Sequence, residues 1–200
     1  MNKNAHIALI GAGIAGLSCA TELRRAGFEV QVFDKSRGPA GRMSTRRGEG
    51  WQCDHGAQYF TARDPAFRAE VARWQAAGVA AAWKARVSVI GELDGHQPDA
   101  DLERFVGVPR MTAPARFLAD ALDLRLESTI TALTRDGEGW LLDSRETGLI
   151  QTRYDAVLLA VPAPQAEPLL QPIAPDLAAI AGAAVMRGST ACRWSSRMPA

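Results

Sequence analysis

The chain has 200 residues, of which 47% are hydrophobic and 22% are charged, with 23 basic residues against 22 acidic ones. This composition is typical of a globular protein with room for one large domain or two small ones. The near-neutral charge excludes a polybasic nucleic-acid binder, and three dispersed cysteines exclude a disulfide scaffold or a zinc ribbon. We therefore expect a cytoplasmic protein with no nucleic-acid partner and no metal site.

The uncharged residues 4–21 resemble a targeting segment in composition only. Three glycines interrupt this stretch and charged residues follow it at once. A signal peptide or a membrane span would need a longer, continuous apolar run. We expect no membrane association.

A strand, a glycine turn, a helix and a second strand open the chain. The apolar run His6–Ile10 predicts a buried parallel strand, and Glu29–Phe33 predicts another. Between them lie a G-x-G-x-x-G turn at residues 11–16 and a helix that Gly27 ends. Asp34 follows the second strand directly. This order is the context that a dinucleotide-binding unit requires.

Each residue of this unit has an expected role. Gly11 permits the tight turn, Gly13 lets the backbone approach a pyrophosphate at the helix N-terminus, and Gly16 lets the helix pack against the sheet. Asp34 is placed to accept hydrogen bonds from a ribose diol, and its carboxylate disfavours the 2′-phosphate of NADP. Lys35 and Arg37 lie close to Asp34 in the sequence, and their positive charges weaken this objection to NADP. The turn alone therefore does not decide which dinucleotide binds.

A second glycine-bearing loop, residues 37–44 (RGPAGRMS), follows where an NAD-binding unit would form another helix. Its extended, charged character favours a chain that wraps a larger cofactor. The guanidinium of Arg42 suits phosphate recognition because it stays charged and offers paired donors. The stretch 54–60 (DHGAQYF) comes next.

Four stretches, 35–44, 54–60, 105–111 and 161–166, resemble bacterial renalase-like FAD-dependent oxidoreductases, a branch of the flavin amine oxidase and protoporphyrinogen oxidase superfamily. The resemblance implies an α/β fold, with a doubly wound Rossmann-like FAD-binding domain around a central parallel sheet and an inserted α+β substrate domain. It implies hydride transfer from a small organic donor to FAD and then to O2, giving H2O2. The implied donors are dihydronicotinamide isomers of NAD(P)H, with amine oxidation or desaturation as the alternative.

The resemblance also implies where FAD would bind. The ADP pyrophosphate would lie on the glycine turn, the adenosine ribose on Asp34, and the adenine end near the backbone of Ile130. Gln58 and Tyr59 would lie against the flavin. The expected FAD-binding residues are Gly11, Gly13, Ile14, Ala15, Gly16, Asp34, Lys35, Gly41, Arg42, Gln58, Tyr59 and Ile130. No catalytic residue is identifiable, because a single histidine such as His55 is more often structural.

The rest of the chain alternates between predicted helices and strands. Asp64 and Pro65 predict a helix start, Gly78 its end, and Thr112 the start of another helix. The strand patterns and the hairpin turn between two of them are typical of an α/β protein. Strands are predicted at 83–89, 104–108, 124–127, 130–134, 140–142 and 156–161, the last as a central strand of the parallel sheet, with the hairpin turn at 136–139 and a polar, turn-rich segment at 91–101.

These elements predict four segments. Residues 1–62 and 123–165 would form the two parts of the FAD-binding domain, residues 63–122 the substrate-domain insertion, and residues 166–200 the start of a second insertion. The last residues, 187–200, lack helical or strand periodicity and depart from the longer proteins that the chain resembles. We therefore expect a truncated or frame-shifted product, and a non-catalytic remnant is the rival interpretation.

Overall fold

The computed structural model describes residues 5–84, 102–137 and 139–187. These ranges contain five α-helices and eleven strands. The helices are α1 (Ile14–Arg25), α2 (Pro65–Ala76), α3 (Ala113–Ala119), α4 (Ala163–Leu170) and α5 (Pro175–Gly182), and a short 3-10 turn covers Gly41–Met43. The strands are β1 (His6–Ile10), β2 (Glu29–Phe33), β3 (Thr45–Gly48), β4 (Trp51–Asp54), β5 (Ala80–Ala82), β6 (Phe105–Gly107), β7 (Asp123–Arg125), β8 (Ile130–Asp136), β9 (Gly139–Ser144), β10 (Gly148–Tyr154) and β11 (Ala156–Leu159).

A parallel sheet in the order β11-β1-β2-β7 forms the centre of the described chain. The predicted strands His6–Ile10 and Glu29–Phe33 are confirmed, and α1 connects them. The prediction of a central strand at 156–161 is wrong in position. β11 pairs with β1 but is one of the two outer strands of these four, and Leu158 is 37% exposed. An apolar run indicates a strand beside the core, but not whether both of its edges are paired.

A separate antiparallel sheet contains β10, β9 and β8 in that order. The predicted strands at 130–134 and 140–142 lie in β8 and β9, and of the predicted turn at 136–139 only Glu138 is outside the described residues. The strand β10 was not predicted, because its exposed residues are mostly polar. Its last residue, Tyr154, is fully buried, with its ring edge-on to Phe33 at 6.1 Å, and so joins the two sheets.

The segment that lies between β2 and β7 in the chain contains the helix predicted to start at Asp64 and Pro65. The Asp64 carboxylate accepts a hydrogen bond from the Phe67 N–H at 3.0 Å, and Pro65 is the first residue of α2. The predicted strand at 83–89 is wrong at its start, since Trp83 and Lys84 follow β5 rather than form a strand. The three alanines of β5 give no alternating pattern to read. Residues 85–89 and the turn-rich segment 91–101 lie outside the described residues.

One buried cluster joins this segment to the parallel sheet. Trp74 of α2 and Met111 share the cluster with Leu9 of β1 and Leu17 of α1. Burial of such apolar side chains is the main favourable term in folding. The described part of residues 63–122 therefore shares a core with the parallel sheet, and the assignment of this segment to a substrate domain stays a prediction.

The helices α4 and α5 follow β11 and pack against each other. They lie in the region predicted as the start of a second insertion. Of the tail 187–200, only Arg187 is among the described residues. None of the helices in the described ranges has the length and apolar character needed to cross a membrane.

Candidate dinucleotide-binding site

A cavity of about 570 Å³ opens at the carboxyl ends of β1, β2 and β11. Ligands of open α/β sheets bind at this edge. The segments that follow these three strands line the cavity together with residues 128–130. The lining residues are Ile10, Gly11, Gly13, Ile14, Ala15, Phe33, Asp34, Lys35, Ser36, Ala40, Gly41, Arg42, Met43, Ser128, Thr129, Ile130, Ala160, Val161, Pro162, Pro164, Gln165, Pro168 and Leu169.

The three glycines of the turn differ in what surrounds them. Gly11 has φ +113°, and a Cβ there would lie 2.5 Å from the carbonyl oxygen of Ala160. A Cβ on Gly16 would lie 2.0 Å from the carbonyl oxygen of Gly11. These two positions need glycine for the fold itself. A Cβ on Gly13 would meet nothing within 4 Å.

Gly13 is also the N-cap of α1, and no side chain caps this end of the helix. The first N–H groups of a helix have no partner within it and attract anions. Gly13, Ile14 and Ala15 all line the cavity. The helix end and the open side of Gly13 therefore offer backbone donors to a phosphate group without a side chain in the way.

Asp34 bridges two backbone segments beside the cavity. Its Oδ2 accepts a hydrogen bond from the Ala12 N–H at 2.7 Å, and its Oδ1 accepts one from the Ser36 N–H at 2.8 Å. The carboxylate thus fixes the glycine turn as well as lining the cavity. Sequence reasoning gave Asp34 only the ribose role and missed this structural one.

The loop at residues 37–44 packs directly on the glycine turn. The Ala40 N–H donates to the Ala12 carbonyl at 2.9 Å, and a Cβ on Gly41 would lie 3.2 Å from the Cα of Gly13. Arg42 and Lys35 bring two positive charges to the cavity. The Lys35 ammonium donates to the side-chain oxygen of Gln165 at 3.1 Å, which links the residues just before the loop to α4.

The stretch 54–60 packs against that loop. The Ala57 N–H donates to the Arg42 carbonyl at 2.8 Å, and a Cβ on Gly56 would lie 1.9 Å from the same oxygen. The Asp54 carboxylate accepts hydrogen bonds from the Thr45 hydroxyl at 2.5 Å and from the Met111 N–H at 3.3 Å. The Ala57 N–H therefore holds the backbone of Arg42, and the lack of a side chain on Gly56 permits this close approach.

Nine of the twelve expected FAD-binding residues line the cavity and three do not. Gln58 and Tyr59 lie on the surface, and the Tyr59 ring is 5.8 Å from the ring of Trp83 and 5.6 Å from the guanidinium carbon of Arg104. Gly16 lies behind the turn, where its role is packing. The nine are Gly11, Gly13, Ile14, Ala15, Asp34, Lys35, Gly41, Arg42 and Ile130.

The wall formed by residues 128–130 includes two residues that sequence reasoning missed. Ser128 and Thr129 precede Ile130 on this wall. The Glu146 carboxylate accepts hydrogen bonds from the Thr129 N–H at 2.6 Å, the Thr129 hydroxyl at 2.7 Å and the Ser144 hydroxyl at 2.9 Å. These donors, the Thr129 N–H first among them, lower the pKa of Glu146 to about 2. Only the pattern around Ile130 gave any signal for this wall.

No group of three or more histidine, cysteine, aspartate or glutamate side chains that could hold a metal ion occurs in the described ranges. The charged groups at the cavity are those of Asp34, Lys35 and Arg42. The site therefore combines a helix N-terminus, two cations and one carboxylate, a set that fits a dinucleotide with a pyrophosphate and a ribose diol.

Comparison with known proteins gives one family match and several partial relatives. The NAD(P)-binding Rossmann-like domain matches residues 9–74. An L-amino-acid oxidase of Siganus canaliculatus is 36% identical over 70 residues, 34% of this chain and 13% of the oxidase. A hydroxyneurosporene desaturase of Rubrivivax gelatinosus is 33% identical over 141 residues, 58% of this chain and 26% of the desaturase.

A crystal structure assigned to a protoporphyrinogen oxidase of Exiguobacterium superposes with a TM-score of 0.64 at 15% identity, covering 86% of this chain and 63% of that one. The chain spans only 13% and 26% of the length of the oxidase and the desaturase. The structural likeness confirms the predicted Rossmann-like α/β fold, which fits FAD. The chain thus matches an NAD(P)-binding Rossmann-like domain over residues 9–74, and the relatives that it resembles in sequence include an L-amino-acid oxidase, a phytoene dehydrogenase and a hydroxyneurosporene desaturase.

Proposed function

We propose that this chain is an FAD-dependent oxidoreductase and that FAD lies in the cavity at the carboxyl edge of the parallel sheet. The observation that carries the proposal is the uncapped N-terminus of α1, where Gly13 leaves the backbone open to the cavity. The fit of the site to FAD rests on this opening and on the charges of Asp34 and Arg42 beside it. A side chain at Gly13 would fill the space that a pyrophosphate needs.

Different residues of the cavity would bind different parts of FAD. The α1 N-terminus would bind the pyrophosphate, Asp34 the adenosine ribose, and residues 128–130 the adenine end. Arg42 would approach the flavin side of the pyrophosphate. Gln58 and Tyr59 would contact the flavin, and they lie next along the chain after Ala57, whose N–H donates to Arg42.

FAD, when bound, supplies a ring that takes up a hydride from an organic donor and is reoxidised by O2. The protein binds the cofactor and orients it, while residues 63–122 would help to form the pocket for the donor. The proposed donors are dihydronicotinamide isomers of NAD(P)H. The alternative, an amine or a substrate for desaturation, is supported by relatives named as an L-amino-acid oxidase and a hydroxyneurosporene desaturase.

Two measurements on the purified chain test the proposal. The first is a titration of FAD followed by flavin fluorescence, with ADP as competitor; saturable binding that ADP reverses is expected. Failure of both FAD and ADP to bind would overturn the cofactor assignment. The second measures oxygen consumption with dihydronicotinamide isomers and with amines, side by side. Turnover of amines alone would replace the proposed donor class with the alternative.

A further inference from the structure

We propose that Glu146 is a positioning residue for the adenosine end of the dinucleotide site. It lies in the turn between β9 and β10, outside the residues that line the cavity. Through Thr129 it would set the position of the wall formed by residues 128–130. The inference rests on the proposed binding of a dinucleotide and adds a residue whose influence reaches the ligand through its neighbours.

Glu146 holds Thr129 at two points. One carboxylate oxygen accepts the backbone N–H of Thr129 at 2.6 Å, and the other accepts its hydroxyl at 2.7 Å. Two simultaneous hydrogen bonds to one residue fix its orientation as well as its distance. Hydrogen bonds to a charged acceptor are stronger than those between neutral groups. Thr129 is therefore anchored to the hairpin turn and cannot swing independently of it.

The carboxylate is itself held in place from the hairpin. The Ser144 hydroxyl donates to Glu146 at 2.9 Å, and the Ser144 side chain is only 3% exposed. The Ser128 hydroxyl is 3.5 Å from the same Ser144 oxygen. We call the hydrogen bonds of Glu146 to Thr129 and Ser144 the clamp. The clamp connects a buried group of β9 with two consecutive residues of the cavity wall.

The other side of the wall is tied to the ribose-binding region. The Ser128 N–H donates to the Asp34 carbonyl at 2.9 Å, and the Glu127 N–H donates to the Ser36 carbonyl at 3.1 Å. Glu127 has φ +50°, a left-handed conformation that is unfavourable for a residue with a side chain. Contacts from both sides hold this turn. On the hairpin side the Arg145 N–H donates to the Thr129 carbonyl at 2.9 Å, and Glu146 adds its two hydrogen bonds to the same residue.

This arrangement predicts a selective effect on ligands. ADP would reach from the α1 N-terminus to residues 128–130, whereas inorganic pyrophosphate would contact the helix end alone. Loss of the clamp should therefore weaken ADP and leave pyrophosphate unaffected. Binding to a wall that is already ordered costs less than binding that must order it, so we expect Glu146→Gln to weaken ADP about fivefold to twentyfold.

The experiment is calorimetric titration of the chain with ADP and with pyrophosphate. Asp143→Asn is the matched control, because it removes a carboxylate of β9 close to the clamp but outside it; ADP affinity should stay at the wild-type value. Thr129→Val loses the hydroxyl that donates to Glu146 but keeps the backbone N–H, so it should bind ADP more weakly than the wild type. This variant carries the test if Glu146→Gln does not fold.

Three results would overturn the inference. Unchanged ADP affinity in both Glu146→Gln and Thr129→Val would remove the positioning role while leaving the proposed function intact. An equal loss of ADP and pyrophosphate affinity in these variants would indicate a general structural defect. Wild-type protein that binds neither ligand would reject the proposed function, and the inference with it.

Discussion

The two walls of the cavity are built in different ways. The first, which we call the local wall, comes from a single stretch, residues 10–43, in which a glycine turn, Asp34 and a charged loop contact each other. The second, which we call the far wall, is assembled from residues 128–130 and 160–169, which the chain reaches only after the intervening helices and strands. Close contacts between residues that are near in the sequence require particular residue types, and these leave a recognisable sequence pattern. A wall formed by distant segments depends instead on how whole strands pair.

The local wall should be most sensitive at Gly13. Gly13→Val is expected to abolish FAD and ADP binding, because its side chain would occupy open space at the α1 N-terminus. The fold should survive, since Gly13 has φ −73° and ψ 170°, which any residue adopts. Fluorescence titration measures the binding and circular dichroism the folding. Ala26→Val, at the other end of α1, should bind normally. Wild-type affinity in Gly13→Val would mean that the turn is purely structural.

Gly11 joins the two walls, and its replacement should damage the fold rather than the ligand contacts alone. A Cβ there would approach the Ala160 carbonyl at 2.5 Å with φ at +113°. We expect Gly11→Ala to lower the free energy of unfolding by about 3 kcal/mol or more, from strain and overpacking together. Urea unfolding measures this loss.

Gly78→Ala separates the two contributions to that loss. Gly78 has φ +72° but a Cβ there would meet nothing within 4 Å. Its replacement should lower the free energy of unfolding by only about 1 kcal/mol, the conformational part. Equal losses in the two variants would show that the contact with Ala160 relaxes freely, and the walls would then be less tightly joined than their geometry indicates.

Sequence patterns predicted most of the local wall for physical reasons. Gly11 and Gly16 stand where a Cβ would collide with backbone, and Gly56 stands against the Arg42 carbonyl, so each of these three glycines reflects a close approach. The far wall left weaker patterns. β11 was predicted as a strand but not as an outer one, and β10 was missed because most of its exposed side chains are polar. The hydrogen bonds of Glu146 to Thr129 span 17 residues and follow no local rule.

Asp34 both fixes the glycine turn and lines the ligand site, so its replacement should affect both stability and ligand binding. Asp34→Ala removes the acceptor for the Ala12 and Ser36 N–H groups as well as the expected ribose contact. We expect losses of about 1–3 kcal/mol each in ADP binding and in the free energy of unfolding. Calorimetry and urea unfolding measure the two separately. A variant that loses affinity at unchanged stability would mean that Asp34 acts on the ligand alone.

The smallest expected effect is the pH dependence that Glu146 gives to the far wall. The pKa of Glu146 is lowered from 4.5 to about 2, first by the Thr129 N–H. Because the folded protein favours the charged carboxylate, this contribution to stability is complete above pH 4.5 and is lost as the pH falls toward 2. Glu146→Gln should therefore show a shallower fall in the free energy of unfolding over this range than the wild type does. Urea unfolding at several pH values between these limits measures the difference. Parallel curves for the wild type and Glu146→Gln would mean that the clamp on Thr129 does not persist in solution, and the far wall would then be ordered by β-strand pairing alone.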